Sequence, residues 1–80
     1  MTIKIYTTPT CVYCKMAKEY FKNHNLQYEE YDVTQDKSKL DEMVAKSHQM
    51  GVPVIDIDGT IMVGFDRDYI EQAVNSAGAK

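Results

Sequence analysis

Thr7-Thr8-Pro9-Thr10-Cys11-Val12-Tyr13-Cys14-Lys15 carries the only two cysteines of the chain, two residues apart, where an apolar strand gives way to a helix. Thiols at i and i+3 on the first turn of a helix share a face, which brings their Cα atoms near the roughly 4.4–6.8 Å window a disulfide requires. Cys11 falls at or just before the helix N-terminus, where unpaired N–H groups and the positive end of the macrodipole favour a thiolate. The thiolate is the nucleophile, so Cys11 is the candidate attacking group. Lys15, one turn on and on the same face, adds a modest favourable charge. Cys14 faces protein and is expected to stay protonated as the resolving thiol. A chemically unequal pair of this kind is what thiol–disulfide exchange needs.

Two other uses of the pair compete with this one. A structural zinc site takes four ligands, and neither His24 nor His48 stands at a spacing that would complete one. Two inert cysteines in a core are the other alternative, since free cysteine is commonly buried.

Eighty residues suit one domain, 1–80, with a small core, because a chain of this size buries only about 60% of its unfolded surface. No basic stretch leads into an apolar run, and no apolar segment approaches the roughly 20 residues that span a bilayer. The expectation is a cytoplasmic protein with no membrane contact, in a compartment where paired cysteines are more often redox-active than permanent. Twelve acidic against nine basic residues, a net charge of −3 and scattered lysines argue against a nucleic-acid surface. With no evident exposed apolar stripe, a monomer is expected.

Ile3-Lys4-Ile5-Tyr6 alternates as a first strand leading into the thiol loop. From Val12 to His24, Tyr13, Met16, Ala17, Tyr20, Phe21 and His24 recur at helical spacing as the inward stripe, with Lys15, Lys18, Glu19 and Lys22 mostly outward. Asn23 and Asn25 suit the C-terminal cap, and His24 complements the dipole or meets solvent. Leu26–Val33 reads as a second strand whose alternation slips, through a bulge or an early end. Thr34 or Asp36 caps a second helix with Leu40, Met43, Val44 and Ser47 inward and Lys37, Lys39, Asp41 and Glu42 outward. Met43 and Met50 are expected to pack rather than to bind a metal.

Gly51-Val52-Pro53 interrupts the chain before an apolar third strand, Val54–Ile57. Asp58-Gly59 is a hairpin signal that makes Thr60–Val63 the antiparallel fourth strand. Gly64-Phe65 ends it, and Asp66 offers an N-cap to a third helix with Ile70, Ala73, Val74 and Ala77 inward. Gly78 closes that helix and the last residues fray. The order β-α-β-α-β-β-α predicts an α/β fold: a four-stranded mixed sheet, its first two strands parallel, with three helices over both faces.

Thr10-Cys11-x-x-Cys14-Lys15 after the first strand, Val52-Pro53 before the third, and Gly64-Phe65-Asp66 before the last helix together resemble the glutaredoxin family over essentially the whole chain. The similarity is greatest to small bacterial glutaredoxin-like proteins, some of which donate electrons to ribonucleotide reductase. The resemblance implies a thioredoxin-like fold and a dithiol–disulfide oxidoreductase acting on protein or glutathione mixed disulfides. It implies a cis Pro53 that sets Val52 beside Cys11, with the Val52 backbone free to pair with an extended thiol peptide. Tyr13 would line the site, or serve as an ordinary aromatic. Gly64, Phe65 and Asp66 would offer a helix N-terminus to a carboxylate of glutathione or of a partner peptide, with simple N-capping by Asp66 the alternative.

The chain departs from the family pattern at four places. Thr8 stands where glutathione-using members carry Lys or Arg, and the loss of such a contact costs about 1.5–3 kcal/mol. Gly51 replaces the Thr of Thr-Val-Pro, Phe65 the second Gly of Gly-Gly, and Val12 the Pro of Cys-Pro-Tyr-Cys. The electron source is therefore open between glutathione and thioredoxin reductase. No bound cofactor is expected, and the alternative function is an iron–sulfur or metal carrier using Cys11.

Overall fold

Ile3–Thr7 forms the strand β1, which is hydrogen-bonded on both sides in the computed structural model, whose coordinates describe residues 2–78. Along one edge it pairs in parallel with β2, Glu29–Asp32, and along the other in antiparallel fashion with β3, Val54–Ile57. A second antiparallel pairing joins β3 to β4, Thr60–Val63, and the sheet order is β2-β1-β3-β4. The helices are α1, Val12–Asn23, α2, Lys37–Ser47, and α3, Arg67–Gly78. Element order and strand directions are those the sequence predicts.

Alternation along β1 divides the core. Ile3 and Ile5 meet Ile55, Ile57 and Met62 with Ala17, Tyr20 and Phe21 of α1 and Ile70 and Ala73 of α3. Tyr6 points the other way, into a cluster with Val33, Met43 of α2 and Val54. Helices α1 and α3 thus cover one face and α2 the other, and each fully buried large apolar side chain contributes about 1.5–3 kcal/mol.

Local chemistry sets the element ends. Asn25 takes a positive φ of 55°, Leu26 N–H reaches Phe21 C=O at 2.8 Å and Asn25 N–H reaches Lys22 C=O at 3.2 Å, the Schellman end of a helix. Asp36, not Thr34, caps α2, accepting from the N–H groups of Ser38 and Lys39. Asp58 and Gly59 both have positive φ, 49° and 93°, as the tight turn between β3 and β4 requires.

The structure corrects several expectations. The second strand starts at Glu29: Leu26 and Tyr28 pack against the core from irregular chain, and the slip in alternation marks a late strand start, with no bulge needed. Helix α1 ends at Asn23, and His24 is its exposed cap, stacked on Tyr20 at 4.1 Å between ring centroids. Tyr13 and Met16 are 60% and 43% exposed, and of residues 12 to 16 only Cys14 is buried. Lys18 turns inward to Glu30, and Met50 is exposed. Ala77 lies outside the residues whose side chains are described, as does the fraying expected after Gly78.

The largest departure lies beneath α2. Glu42, expected in water, is half-buried and accepts the Tyr6 hydroxyl, while Lys46 donates to Tyr6 Oη at 3.0 Å and to buried Asp56 at 2.8 Å. The hydrogen bond from Tyr6 holds the Glu42 carboxyl below its ordinary pKa, and burial followed by that same bond pushes the Tyr6 phenol up. Glu42 therefore adds stability that is present above its unfolded value of about 4.3 and is lost as pH falls through the lower folded value. The Tyr6 contribution is complete below about pH 10 and fades above it. Replacing Tyr6 by Phe is expected to cost about 1 kcal/mol at pH 7 in urea unfolding, less than the roughly 1.5–3 kcal/mol of bonds to charged groups because Glu42 is a third exposed. The difference from the unsubstituted protein should shrink between pH 5 and pH 3; a constant difference would count against the coupling.

Candidate active site

Strand register gathers three segments at one end of the sheet. Tyr6 is opposite Val54 and Val54 opposite Val63, so the loop leaving β1, the segment entering β3 and the segment leaving β4 emerge side by side. These are Thr8 to Cys11, Val52-Pro53, and Gly64-Phe65-Asp66. Gly64 N–H donates to Pro53 C=O at 2.8 Å and ties the last two together. Gly64 has φ 85°, a backbone state that glycine adopts without the Cβ penalty.

Cys11 is the N-cap of α1, with an extended backbone, and its Sγ accepts the Cys14 N–H at 3.0 Å. The sulfur therefore does what Ser or Asp usually does at this position, and a negative charge there would meet an unpaired donor and the helix dipole. The two cysteines are joined as a disulfide with Cα atoms 5.2 Å apart, inside the window expected from their spacing. They differ sharply in access: Cys11 is partly exposed and Cys14 is 1% exposed. Around Cys11, Pro9, Thr10, Val12 and Lys15 line a shallow hollow of about 110 Å³.

The other predicted site residues take the following places. Pro53 is buried and its bond to Val52 is cis. Among the described residues the N–H and C=O of Val52 have no hydrogen-bond partner. Val52 also borders a groove of about 670 Å³ with Thr8, Gln35, Leu40 and Met50. Tyr13 is exposed beside Cys14, and Phe65 is half-buried against Tyr20, 6.3 Å between ring centroids. The Asp66 carboxylate accepts from Tyr69 N–H at 3.2 Å, as an N-cap of α3. Lys15 is exposed one turn beyond Cys11, and its N–H donates to Cys11 C=O at 3.3 Å. No three metal-ligating side chains cluster among the described residues. Two features escaped the sequence: the exposed apolar rim of Val12, Tyr13 and Met16, and the approach of Lys18 to Glu30. Helical periodicity marks the former as an inward stripe, and the latter joins residues on separate elements.

The family model described as glutaredoxin matches residues 3–62, most of the chain. The chain belongs to the glutaredoxin family. It is 47% identical over 72 residues to the glutaredoxin-like 8.6 kDa protein of the rubredoxin operon of Clostridium pasteurianum, covering 90% of this chain and 96% of that one. It is 33% identical over 67 residues to Glutaredoxin 3 of Escherichia coli, covering 84% and 81%. The solved glutaredoxin-like NrdH-redoxin of Escherichia coli superposes with a TM-score of 0.82 at 26% identity, over 90% of this chain and 93% of that one. The fold is thioredoxin-like, and the glutaredoxin chain described here is a thiol–disulfide oxidoreductase.

In the reduced Cys14→Ser variant the Cys14 N–H is retained, so Cys11 should keep its stabilising donor. Its thiol is expected to ionise below the ordinary cysteine value of about 8.5, followed by thiolate absorbance at 240 nm. An ordinary value would mean that the helix end does not activate this sulfur.

Proposed function

We propose that this glutaredoxin reduces disulfides in protein substrates, with Cys11 attacking and Cys14 resolving. The observation that carries the reading is the inequality of the two sulfurs: Cys11 caps the helix at the surface and Cys14 is 1% exposed. The Cys11 thiolate attacks one sulfur of the substrate disulfide and expels the other as a thiol. Cys14, deprotonated, then attacks Cys11 Sγ and releases the second substrate thiol, leaving the intramolecular disulfide. Both electrons delivered to the substrate come from the two protein thiols. The unpartnered N–H and C=O of Val52 suit an extended substrate segment added as a short strand, and the exposed Val12, Tyr13 and Met16 supply an apolar rim.

The reducing equivalents come, in this reading, from thioredoxin reductase in preference to glutathione. Thr8 supplies no cation to a glutathione carboxylate, and the Asp66 carboxylate takes up the Tyr69 N–H in the first turn of α3. The likeness to NrdH-redoxin, described as having a thioredoxin-like activity profile, supports the same choice. A ribonucleotide reductase is one protein substrate compatible with that likeness.

NADPH oxidation with a small disulfide tests both parts. Turnover is expected with thioredoxin reductase and at least tenfold less with glutathione plus glutathione reductase, the factor that a lost contact of about 1.5 kcal/mol gives. Equal or faster turnover with glutathione would overturn the choice of electron source. Cys11→Ser should abolish turnover, while Cys14→Ser should accumulate mixed disulfides seen as added mass; full activity in Cys11→Ser would overturn the assignment of the attacking thiol.

A further inference from the structure

The chain between α2 and β3 reaches the site with no ladder to hold it. His48 ends the helix in the left-handed region, φ 61°, and its N–H reaches Val44 C=O at 2.8 Å. Among the described residues no backbone–backbone hydrogen bond involves residues 49 to 52, and the next is the one from Gly64 N–H to Pro53 C=O. Side chains take the place of the missing ladder. Gln49 Nε2 donates to Gly51 C=O at 3.1 Å and to Ser47 Oγ at 3.2 Å, while Gln49 Oε1 accepts the Gly51 N–H. The Ser47 hydroxyl, 2.7 Å from Met43 C=O and 3.0 Å from Gln49 C=O, fastens this clasp to the last turn of α2. Gly51 makes the clasp possible. A Cβ there would stand 2.7 Å from Gln49 Oε1, closer than such atoms approach, so a side chain at 51 displaces the carboxamide. The departure from Thr-Val-Pro at Gly51 and the Gln49 contact are therefore one feature.

We infer that Gln49 is a positioning residue that aims the Val52 N–H at the substrate backbone. The inference rests on the reading that an extended substrate segment pairs with Val52. Gly51 C=O and Val52 N–H belong to one planar peptide unit and point in opposite directions, this bond being trans. Holding the carbonyl toward Gln49 turns the N–H away from it and fixes the plane before a substrate arrives, so less ordering is left to the encounter. Gln49 thus acts on the substrate through the Gly51–Val52 peptide, while the Val52 N–H itself stays free of any partner among the described residues.

Two disulfides with the same leaving group separate this effect from the chemistry at Cys11. One is 5,5′-dithiobis(2-nitrobenzoate), which has no backbone; the other is a short extended peptide whose single cysteine carries nitrothiobenzoate. In the reduced Cys14→Ser background each gives one release: the Cys11 thiolate bonds to the near sulfur and nitrothiobenzoate departs with the electron pair. Adding Gln49→Met, or Gln49→Glu, which is isosteric but has no proton for the Gly51 carbonyl at pH 7, should lower the ratio of peptide rate to reagent rate. The expected fall is about 5- to 30-fold, the cost of ordering one freed backbone residue. A side chain that only filled space would be replaced by Glu without that loss. Gly51→Ala should give the same fall, and Gly51→Ala with Gln49→Met no more than either alone. An unchanged ratio in both Gln49 variants, or additive losses in the double variant, would overturn the positioning role. With Gln49 intact, a peptide N-methylated at the residues flanking its cysteine should react more slowly than the unmethylated one; equal rates would instead overturn strand pairing on Val52 itself.

Discussion

Hydrogen bonding along both edges of β1 is the constraint on which the rest of the site depends. Because β1 is parallel to β2 and antiparallel to β3, its C-terminal end leads straight into the thiol loop while β3 begins beside it and β4 ends one strand further out. Three segments far apart in sequence are thereby delivered to one end of the sheet without any of them needing to be rigid alone. The Gly64 N–H bond to Pro53 C=O closes the set. A slip of β1 by one residue would turn Ile3 and Ile5 out of the core and carry Thr7 to the opposite face, so hydrophobic patterning and the position of the chemistry are a single requirement.

Helix α1 then converts position into reactivity. Its N-terminal end leaves Cys11 partly exposed and Val12 and Tyr13 facing outward, and turns Cys14 into the interior. A residue at the N-cap has its side chain next to free N–H groups whatever its identity, so placing a sulfur there activates it without a dedicated base. The opposite holds for Cys14, whose burial protects it from solution thiols and oxidants and makes proton removal the harder step.

What could be read from residues alone divides along the range of the cause. The cysteine pair and the Asp58-Gly59 hairpin are settled by groups within four positions of one another and stand in the structure as expected, while the cap of α2 falls on Asp36, one of the two residues the sequence offered. Tyr13 and Met16 misled because helical periodicity reports which face is apolar but not where the sheet beneath that face stops. Leu26 and Tyr28 misled because burial in the core does not demand a ladder partner, so apolar alternation overstated the second strand. The Val52-Pro53 geometry came from resemblance to the family, since spacing carries no information on cis bonds. Tyr6 with Glu42, 36 residues apart, and Lys18 with Glu30, 12 apart, were not legible at all, because only the folded sheet makes them neighbours.

Those two polar sets flank β1 on its two faces, and their placement separates their roles. Burying charge costs several kcal/mol per ion unless partners compensate, so in a domain this small each set must be nearly complete to persist. Under α2, Glu42, Lys46 and Asp56 satisfy one another through the Tyr6 hydroxyl. Asp56 lies opposite Lys4, three residues back along β1 from Thr7, and therefore away from the thiol loop. Fastening α2 to the sheet accounts for that set fully. Under α1, the Lys18–Glu30 pair is satisfied by itself at 2.7 Å, yet the buried Thr7 hydroxyl is drawn onto the same carboxylate at the end of β1 that leads to the cysteines. A threonine whose only task was to fill volume would be served as well by valine, with no hydroxyl to satisfy; donating to Glu30 at 3.1 Å, the Thr7 hydroxyl instead ties the C-terminal end of β1 to β2, where the chain turns toward the cysteines.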